Sequence, residues 1–164
     1  MNYIRIDNFN LVNGPGIRVV LWVAGCEHFC RGCHNPETWS FDGKKFSQET
    51  IDEIISKMDN DYTAGITITG GDPLHPRNRE DVLFLCKTLK EKFKNSKNIW
   101  IYSGYTYEEL LNDGVDLSNV DILVDGEFKE ELKIPNLKLR GSTNQRFINI
   151  QASLAAKKAI EISF

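Results

Sequence analysis

The sequence lacks a long hydrophobic run, a signal-like start and an excess of charge of either sign. Its longest nearly apolar stretch is residues 19–25, far short of the roughly 20 residues that a membrane-spanning helix needs. No continuous apolar segment follows Met1, so we expect no secretory signal. Lysine and arginine total 20 against 23 aspartates and glutamates, whereas nucleic acids and anionic membranes attract basic surfaces. We therefore expect a cytoplasmic protein whose partners include neither nucleic acid nor a membrane.

The sequence also lacks internal repeats, low-complexity segments and any linker rich in proline, glycine or serine. Its 164 residues are 41% hydrophobic and 26% charged, a balance typical of a folded globule. A chain of this length buries about 70% of the surface that it exposes when unfolded, so its core can form without a disulfide. These features predict a single domain over residues 1–164.

Strand-like and helical patterns alternate along the chain. Helices are predicted after the N-cap Ser47, over residues 78–94 and after a capping box at Thr106 and Glu109. Because a closed eightfold barrel needs roughly 250 residues, we predict an α/β fold with a partial (β/α) barrel or a curved, mainly parallel sheet of about five to six units. The predicted strands are residues 17–24, 66–69, 99–103, 120–124, 137–139 and 146–150.

Five polar segments that contain glycine follow five of the predicted strands. In a parallel α/β sheet the carboxyl ends of the strands meet at one edge, and ligands bind at that edge. Any one of these glycines is explained by a turn, but five such segments at one edge favour a binding site. They are residues 26–33, 70–72, 103–105, 125–126 and 140–142.

Three of the four cysteines, Cys26, Cys30 and Cys33, fall within eight residues. We expect reduced thiols in the cytoplasm, where a cysteine cluster is more often a metal site than a pair of disulfides. Three thiolates on one loop suit a [4Fe-4S] cluster that keeps one iron open, because fully ligated clusters take four cysteines. An open coordination position is what metal-based catalysis requires.

Other interpretations of the cysteines stay open from the residues alone. A structural zinc site would take His28 or His34 as its fourth ligand, although the usual paired ligand spacing is missing. A disulfide with one free thiol is less compatible with a reducing compartment. Cys86 lies 53 positions after Cys33 on the apolar stripe of a predicted helix, so we predict a core residue and not a fourth cluster ligand.

The Cys-x-x-x-Cys-x-x-Cys spacing resembles the signature of radical S-adenosylmethionine (SAM) enzymes, and Gly70–Pro73 resembles their glycine-rich SAM-binding segment. In addition, five motifs are similar to the family of proteins that activate anaerobic ribonucleoside-triphosphate reductases. The resemblance covers about residues 8–146. The motifs are residues 13–18 (NGPGIR), 70–76 (GGDPLHP), 99–106 (IWIYSGYT), 123–126 (LVDG) and 140–145 (RGSTNQ).

Three positions depart from the pattern of these families. Gly32 stands before the third cysteine, where the superfamily commonly has an aromatic residue. His34 follows that cysteine, at a position that is expected to be aromatic in the activating proteins. Asp72 replaces the more common glutamate after the paired glycines. The resemblance therefore leaves open which side chain packs against the adenine of SAM.

The resemblance implies a ligand set and a reaction. Cys26, Cys30 and Cys33 hold three irons of one [4Fe-4S] cluster, and the amino and carboxylate groups of SAM chelate the fourth. One electron, from a low-potential donor such as flavodoxin, cleaves SAM to methionine and a 5′-deoxyadenosyl radical, which generates a glycyl radical on the reductase. The cluster and SAM perform this chemistry, so no further catalytic side chain is expected.

The resemblance also implies SAM contacts. The backbones of Gly70 and Gly71 approach the amino acid end of SAM, because no Cβ intervenes. Asp72 accepts a hydrogen bond from the SAM ammonium or holds the turn. The backbone at Gly32, Cys33 and His34 contacts the adenine.

Two other functions remain as alternatives. One is a radical SAM enzyme that acts on a small molecule, and the other is a non-catalytic zinc or iron–sulfur interaction module.

Two further residues each have two possible roles. Arg18 orients the cysteine segment or points outward, and Tyr105 walls the SAM pocket or packs at a strand end. His75 is expected to be a turn residue.

Overall fold

A computed structural model describes all residues, 1–164, as eight β-strands and four α-helices. Short 3-10 turns occur at Pro36–Thr38 and Glu130–Leu132. In chain order the elements are β1 (Asn2–Asn10), β2 (Ile17–Val23), β3 (Lys44–Lys45), α1 (Gln48–Met58), β4 (Thr63–Gly70), α2 (Arg79–Phe93), β5 (Asn98–Ser103), α3 (Tyr107–Asn112), β6 (Ile122–Asp125), β7 (Arg146–Asn149), α4 (Ile150–Ala156) and β8 (Glu161–Ile162).

All eight strands form one open, mixed sheet in the order β3-β1-β2-β4-β5-β6-β7-β8. Only the central strands β2, β4, β5 and β6 are parallel, whereas the outer pairs on both sides are antiparallel. The α/β class is confirmed, but a mainly parallel sheet of five to six units is not. Three parallel crossovers are present, between β2 and β4, β4 and β5, and β5 and β6.

The lengths of the connections explain the antiparallel flanks. Residues 11–16 link β1 to β2 and are too few for a parallel crossover, which needs about a dozen residues or more. Residues 126–145 contain no α-helix, and β7 returns antiparallel to β6. The predicted strand at 137–139 was wrong: Leu139 has φ 60°, and a left-handed residue interrupts an extended chain.

The hydrophobic core lies between the sheet and helices α1 and α2. Strand residues such as Ile66 and Ile68 are fully buried there against α1 and α2. Cys86 on α2 is fully buried in the same core, which confirms its prediction. The opposite face of the sheet, called the open face below, carries a small cluster formed by Trp100, Ile122, Val124 and Phe147.

Local signals place α1, α2 and α3 as predicted, whereas α4 was not predicted. Ser47 and Thr50 form a capping box before α1, and Thr106 and Glu109 form another before α3. Gly114, with φ 73°, follows the last turn of α3. None of the four helices has both the length and the apolar composition that a membrane crossing needs.

Arg18 is fully buried on β2, contrary to an outward position. Its guanidinium donates to Thr67 Oγ1 (2.8 Å), to the Ile66 carbonyl (2.7 Å) and to the Pro15 carbonyl (3.1 Å). Burial lowers the pKa of Arg18 to about 10, so the group remains a cation at neutral pH. These hydrogen bonds attach the β1–β2 connection to β4 and do not orient the cysteine segment.

Candidate functional site

A cleft of about 360 Å³ opens at the carboxyl ends of the parallel strands, on the open face of the sheet. All five polar segments singled out from the sequence contribute to its lining, which confirms that they gather at one edge. The fifth segment, residues 140–142, does not follow a parallel strand as predicted. It precedes the antiparallel strand β7, whose first residue Arg146 pairs with Asp125 at the carboxyl end of β6.

The three clustered cysteines lie on the cysteine loop, residues 24–35, and all three line the cleft. They are free and partly exposed. Burial is the main cause that raises the pKa of Cys26 to about 12, and it also raises the pKa of Cys30. The thiols of Cys26 and Cys30 are therefore protonated without a cation, and a bound metal would deprotonate them outright. The donor set fits a metal that prefers thiolates, such as iron in a cluster.

The cysteine loop turns sharply between its second and third cysteines. The Cys33 N–H donates to the Cys30 carbonyl (3.1 Å), and Gly32 has φ 75°. A Cβ at Gly32 would lie 2.9 Å from the Glu130 side chain. Gly32 therefore suits a left-handed turn under Glu130 and cannot be replaced by an aromatic residue without strain.

An aromatic wall for the cleft comes instead from Phe128, which follows β6. Its ring lies 5.0 Å from the His34 ring, and both residues line the cleft. Sequence inspection did not single out Phe128, because its position beside the cysteine loop depends on how β6 pairs in the sheet. His34 and Phe128 thus form one aromatic side of the cleft, next to the cysteine loop.

His28, inside the cysteine motif, connects the cysteine loop to two other segments. Its Nε2 lies 2.6 Å from Asp72 Oδ2, and its Nδ1 lies 2.9 Å from Glu127 Oε1. The hydrogen bond to Asp72 is the main cause that raises the pKa of His28 to about 9. Both ring nitrogens therefore face carboxylates. Cys26 Sγ also lies within 4.8 Å of the facing atoms of His28 and Asp72.

Asp72 is a buried junction between β4, β5 and the cysteine loop. Besides His28, it accepts hydrogen bonds from the Leu74 N–H (2.9 Å), the Ser103 hydroxyl (2.8 Å) and the Gly104 N–H (2.9 Å). The carboxylate is 1% exposed. In this arrangement it holds the turn and fixes the distance between the cysteine loop and the end of β5.

The paired glycines pack closely against β2 and the cysteine loop. A Cβ at Gly70 would lie 2.5 Å from the Val23 carbonyl oxygen, and Gly70 has φ 106°. A Cβ at Gly71 would lie 2.7 Å from the Gly25 carbonyl carbon. The N–H groups of Gly71 and Asp72 donate to the carbonyls of Val23 and Gly25. Glycine is therefore required at both positions for packing.

Two other predicted side chains lie just outside the cleft. Tyr105 does not line it and packs edge-on against His28, with 4.7 Å between ring centroids. His75 is buried, and its Nε2 lies 2.6 Å from Glu27 Oε1 of the cysteine loop. His75 thus belongs to a turn, as predicted, and also braces the loop that carries the cysteines.

Known proteins resemble this chain over most of its length. Residues 12–148 match the family model of a 4Fe-4S single cluster domain. The anaerobic ribonucleoside-triphosphate reductase-activating protein of Enterobacteria phage T4 is 45% identical over 148 residues, which cover 89% of this chain and 92% of the relative. The proteins of the same name from Vibrio cholerae and Escherichia coli K12 are each 42% identical, over 88% of this chain and 96% of each relative.

The match to the family model includes the cysteine loop, the glycine turn and every strand that lines the cleft. Identity of this level over nearly nine-tenths of the chain establishes a common family. The chain belongs to the family of anaerobic ribonucleoside-triphosphate reductase-activating proteins.

Proposed function

We propose that this protein activates an anaerobic ribonucleoside-triphosphate reductase by generating a glycyl radical on it. One observation supports this most strongly. Three free cysteines in the radical SAM spacing share one open cleft with the glycine turn at residues 70–72, in a chain that aligns with activating proteins over 88–89% of its length.

Cys26, Cys30 and Cys33 are the proposed ligands of one [4Fe-4S] cluster. The cleft beside them fits the group, because its thiols are unpaired and His28 is already engaged by two carboxylates. When bound, the reduced cluster and SAM supply a carbon-centred radical by reductive cleavage of SAM. We assign the electron to a low-potential donor such as flavodoxin, and the protein to the cytoplasm, where its thiols stay reduced.

The glycine turn is proposed to bind the amino acid end of SAM through carbonyl oxygens. The N–H groups of Gly71 and Asp72 are used within the fold, so the carbonyls of Gly70 and Gly71 are the acceptors available to an ammonium group. Asp72 contributes by holding this turn against the cysteine loop. On the other side of the cleft, the backbone at Gly32, Cys33 and His34 would contact the adenine, next to Phe128.

The size of the cleft favours a protein substrate over a small molecule. Pockets that enclose a drug-sized ligand measure about 300–1,000 Å³, and this cleft lies near the lower limit at about 360 Å³. A cleft of this size takes one such ligand, which we propose is SAM, so the substrate of the radical approaches from outside. We propose that residues 1–164 form one radical SAM domain and that a glycine-bearing segment of the reductase closes the cleft and excludes water.

The test is anaerobic reconstitution followed by electron paramagnetic resonance spectroscopy with the reductase. The protein should bind four irons and four sulfides per chain, in line with one [4Fe-4S] cluster. With dithionite and SAM it should give the reductase a doublet signal. That doublet should lose its α-hydrogen splitting when the reductase is made with Cα-deuterated glycine.

Two results would contradict the proposal. Stoichiometric zinc without a brown chromophore would indicate the non-catalytic interaction module. Efficient conversion of a small metabolite, with no radical on the reductase, would indicate a radical SAM enzyme for small molecules.

A further inference from the structure

Four large apolar side chains form an exposed surface around the β1–β2 connection. We call it the hairpin patch: Phe9, Leu11, Val12 and Tyr62, which are 58%, 69%, 74% and 52% exposed. Single exposed hydrophobic residues are normal, but a contiguous group usually marks an interaction site. Phe9 and Tyr62 are in direct contact, with their rings stacked at 5.6 Å. Leu11 and Val12 follow Phe9 closely in sequence and begin the β1–β2 connection.

The backbone holds Phe9 outward at a cost. The pairing of β1 with β2 shifts register between Asp7 and Asn10, and Phe9 has φ 55°. A left-handed conformation is a genuine outlier for a bulky residue, and such strain clusters at functional sites. β-Bulges are also over-represented next to active sites, where they re-aim side chains. The exposure of Phe9 is therefore built into the strand.

The connection itself is firmly anchored. Asn10 Oδ1 accepts hydrogen bonds from the N–H groups of Val12 and Asn13, both at 2.9 Å. The Asn13 carbonyl accepts from Thr67 Oγ1 (2.6 Å), which in turn contacts the buried Arg18. The patch is thus a preformed surface, so little conformational entropy is lost in ordering it when a partner binds.

The hairpin patch meets the cleft that contains the cysteines at Val12. Val12 belongs to both, and Asn13 next to it also lines the cleft wall, because this connection folds over the open face of the sheet. With the cluster and SAM bound in this cleft, the target glycine has to enter past its walls. A polypeptide that delivers this glycine therefore meets the apolar side chains beside Val12.

We propose that the hairpin patch is the docking surface for the glycine-bearing segment of the reductase. This inference rests on the proposed function, since it identifies where the protein substrate lies. Apolar side chains next to the target glycine cover Leu11 and Val12, and a further apolar contact covers the stacked pair Phe9 and Tyr62. The four side chains of the patch are uncharged, so their own contribution to binding depends little on salt.

The test compares two surface variants of the full-length protein. Leu11→Ser with Tyr62→Ser removes apolar surface from the patch at two residues that do not line the cleft. Phe84→Ser is the matched control, because Phe84 is 55% exposed but lies on α2, on the helix-bearing side of the sheet. Iron content after reconstitution checks that each variant is folded.

The affinity of each variant for the reductase is measured without SAM or reductant. The yield of glycyl radical is then measured by electron paramagnetic resonance, with the variant present in smaller amount than the reductase. The double variant should bind the reductase at least about tenfold more weakly, as expected for the loss of two buried apolar contacts. Its radical yield should fall in parallel, whereas Phe84→Ser should stay within about twofold of wild type. Leu11→Ser alone serves the same comparison if the double variant does not take up iron.

Two outcomes would overturn the inference. One is wild-type affinity and yield in the patch variants, and the other is an equal loss in Phe84→Ser. Failure of the proposed function looks different. In that case the wild-type protein itself gives no glycyl radical, while the affinity comparison still reports whether the patch binds the reductase.

Discussion

Replacement of Gly71 by alanine should damage the cysteine loop, although residue 71 lies 45 positions after Cys26. An alanine Cβ would lie 2.7 Å from the carbonyl carbon and 2.8 Å from the nitrogen of Gly25, and nearer still to its oxygen. All three are backbone atoms, so rotation of a side chain cannot relieve the collision. Gly25 directly precedes Cys26, and its carbonyl accepts the N–H of Asp72 (2.8 Å).

The cost of Gly71→Ala follows from these contacts. Non-bonded carbon atoms prefer about 3.5–4.0 Å, so Gly25 has to move by about 1 Å. Overpacking of this kind costs about 1–3 kcal/mol, and a weakened hydrogen bond to Asp72 adds about 0.5–1.5 kcal/mol. Because Cys26 moves together with Gly25, we expect a loss of bound iron in addition to a loss of stability.

Gly114→Ala is the matched control. Gly114 has φ 73° and open space around its Cα, so alanine there costs about 1–2 kcal/mol of left-handed strain without any collision. The assay is iron per chain after anaerobic reconstitution, together with urea unfolding of both variants. Gly71→Ala should lose iron and Gly114→Ala should not. Full iron uptake by Gly71→Ala, with less destabilisation than Gly114→Ala, would refute the reasoning.

Two further predictions concern other parts of the molecule. Cys86→Ala should keep a full cluster and lose only about 1 kcal/mol of stability from core packing, whereas Cys30→Ala should lose its iron; an iron count on both variants decides the ligand set. A hydrogen bond from Arg146 lowers the pKa of Glu108 below its ordinary 4.5, so this carboxylate stabilises the fold above pH 4.5 and ceases to do so as the pH falls through its lowered pKa. In Glu108→Gln the unfolding free energy should therefore fall less between neutral and acid pH than in the wild type. The difference should be under about 1 kcal/mol, because the ion pair is exposed. The same pH dependence below pH 4.5 in both proteins would show that the ion pair does not contribute to stability.

Local signals in the sequence were sufficient for three of the four helices and for the parallel strands. Helix α4 was missed, because its first residue, Ile150, was assigned to the predicted strand at residues 146–150. The capping box at Thr106 and the apolar stripe with Cys86 depend on residues three or four positions apart, so no knowledge of the fold was needed. β1 was missed because its sequence, NYIRIDNFN, is largely polar and only Tyr3 is buried. The direction of β7 could not be predicted either, since it depends on the long connection after β6.

Some residues of the candidate site could likewise be predicted from local sequence, and others could not. Cys26, Cys30 and Cys33 could be proposed from spacing alone, because their chemistry is contained in one loop. The contact between His28 and Glu127 joins residues 99 positions apart, and no local pattern encodes it. Phe128 was missed for the same reason: its approach to the cysteine loop depends on strand pairing and not on its neighbours in sequence.

The residues that line the cleft are far apart in sequence, and this separation sets the order in which the parts of the site form during synthesis. Three thiols within eight residues are neighbours even in a nascent chain, and unfolded cysteines already bind metals. The opposite wall of the cleft includes residues up to Gln145, so it exists only after the first 145 residues of the chain have been made and paired. Non-local pairing of this kind forms slowly, since loop closure comes first. Metal capture can therefore precede the pocket by the time needed to make more than a hundred residues, and the wrong metal has that interval in which to bind.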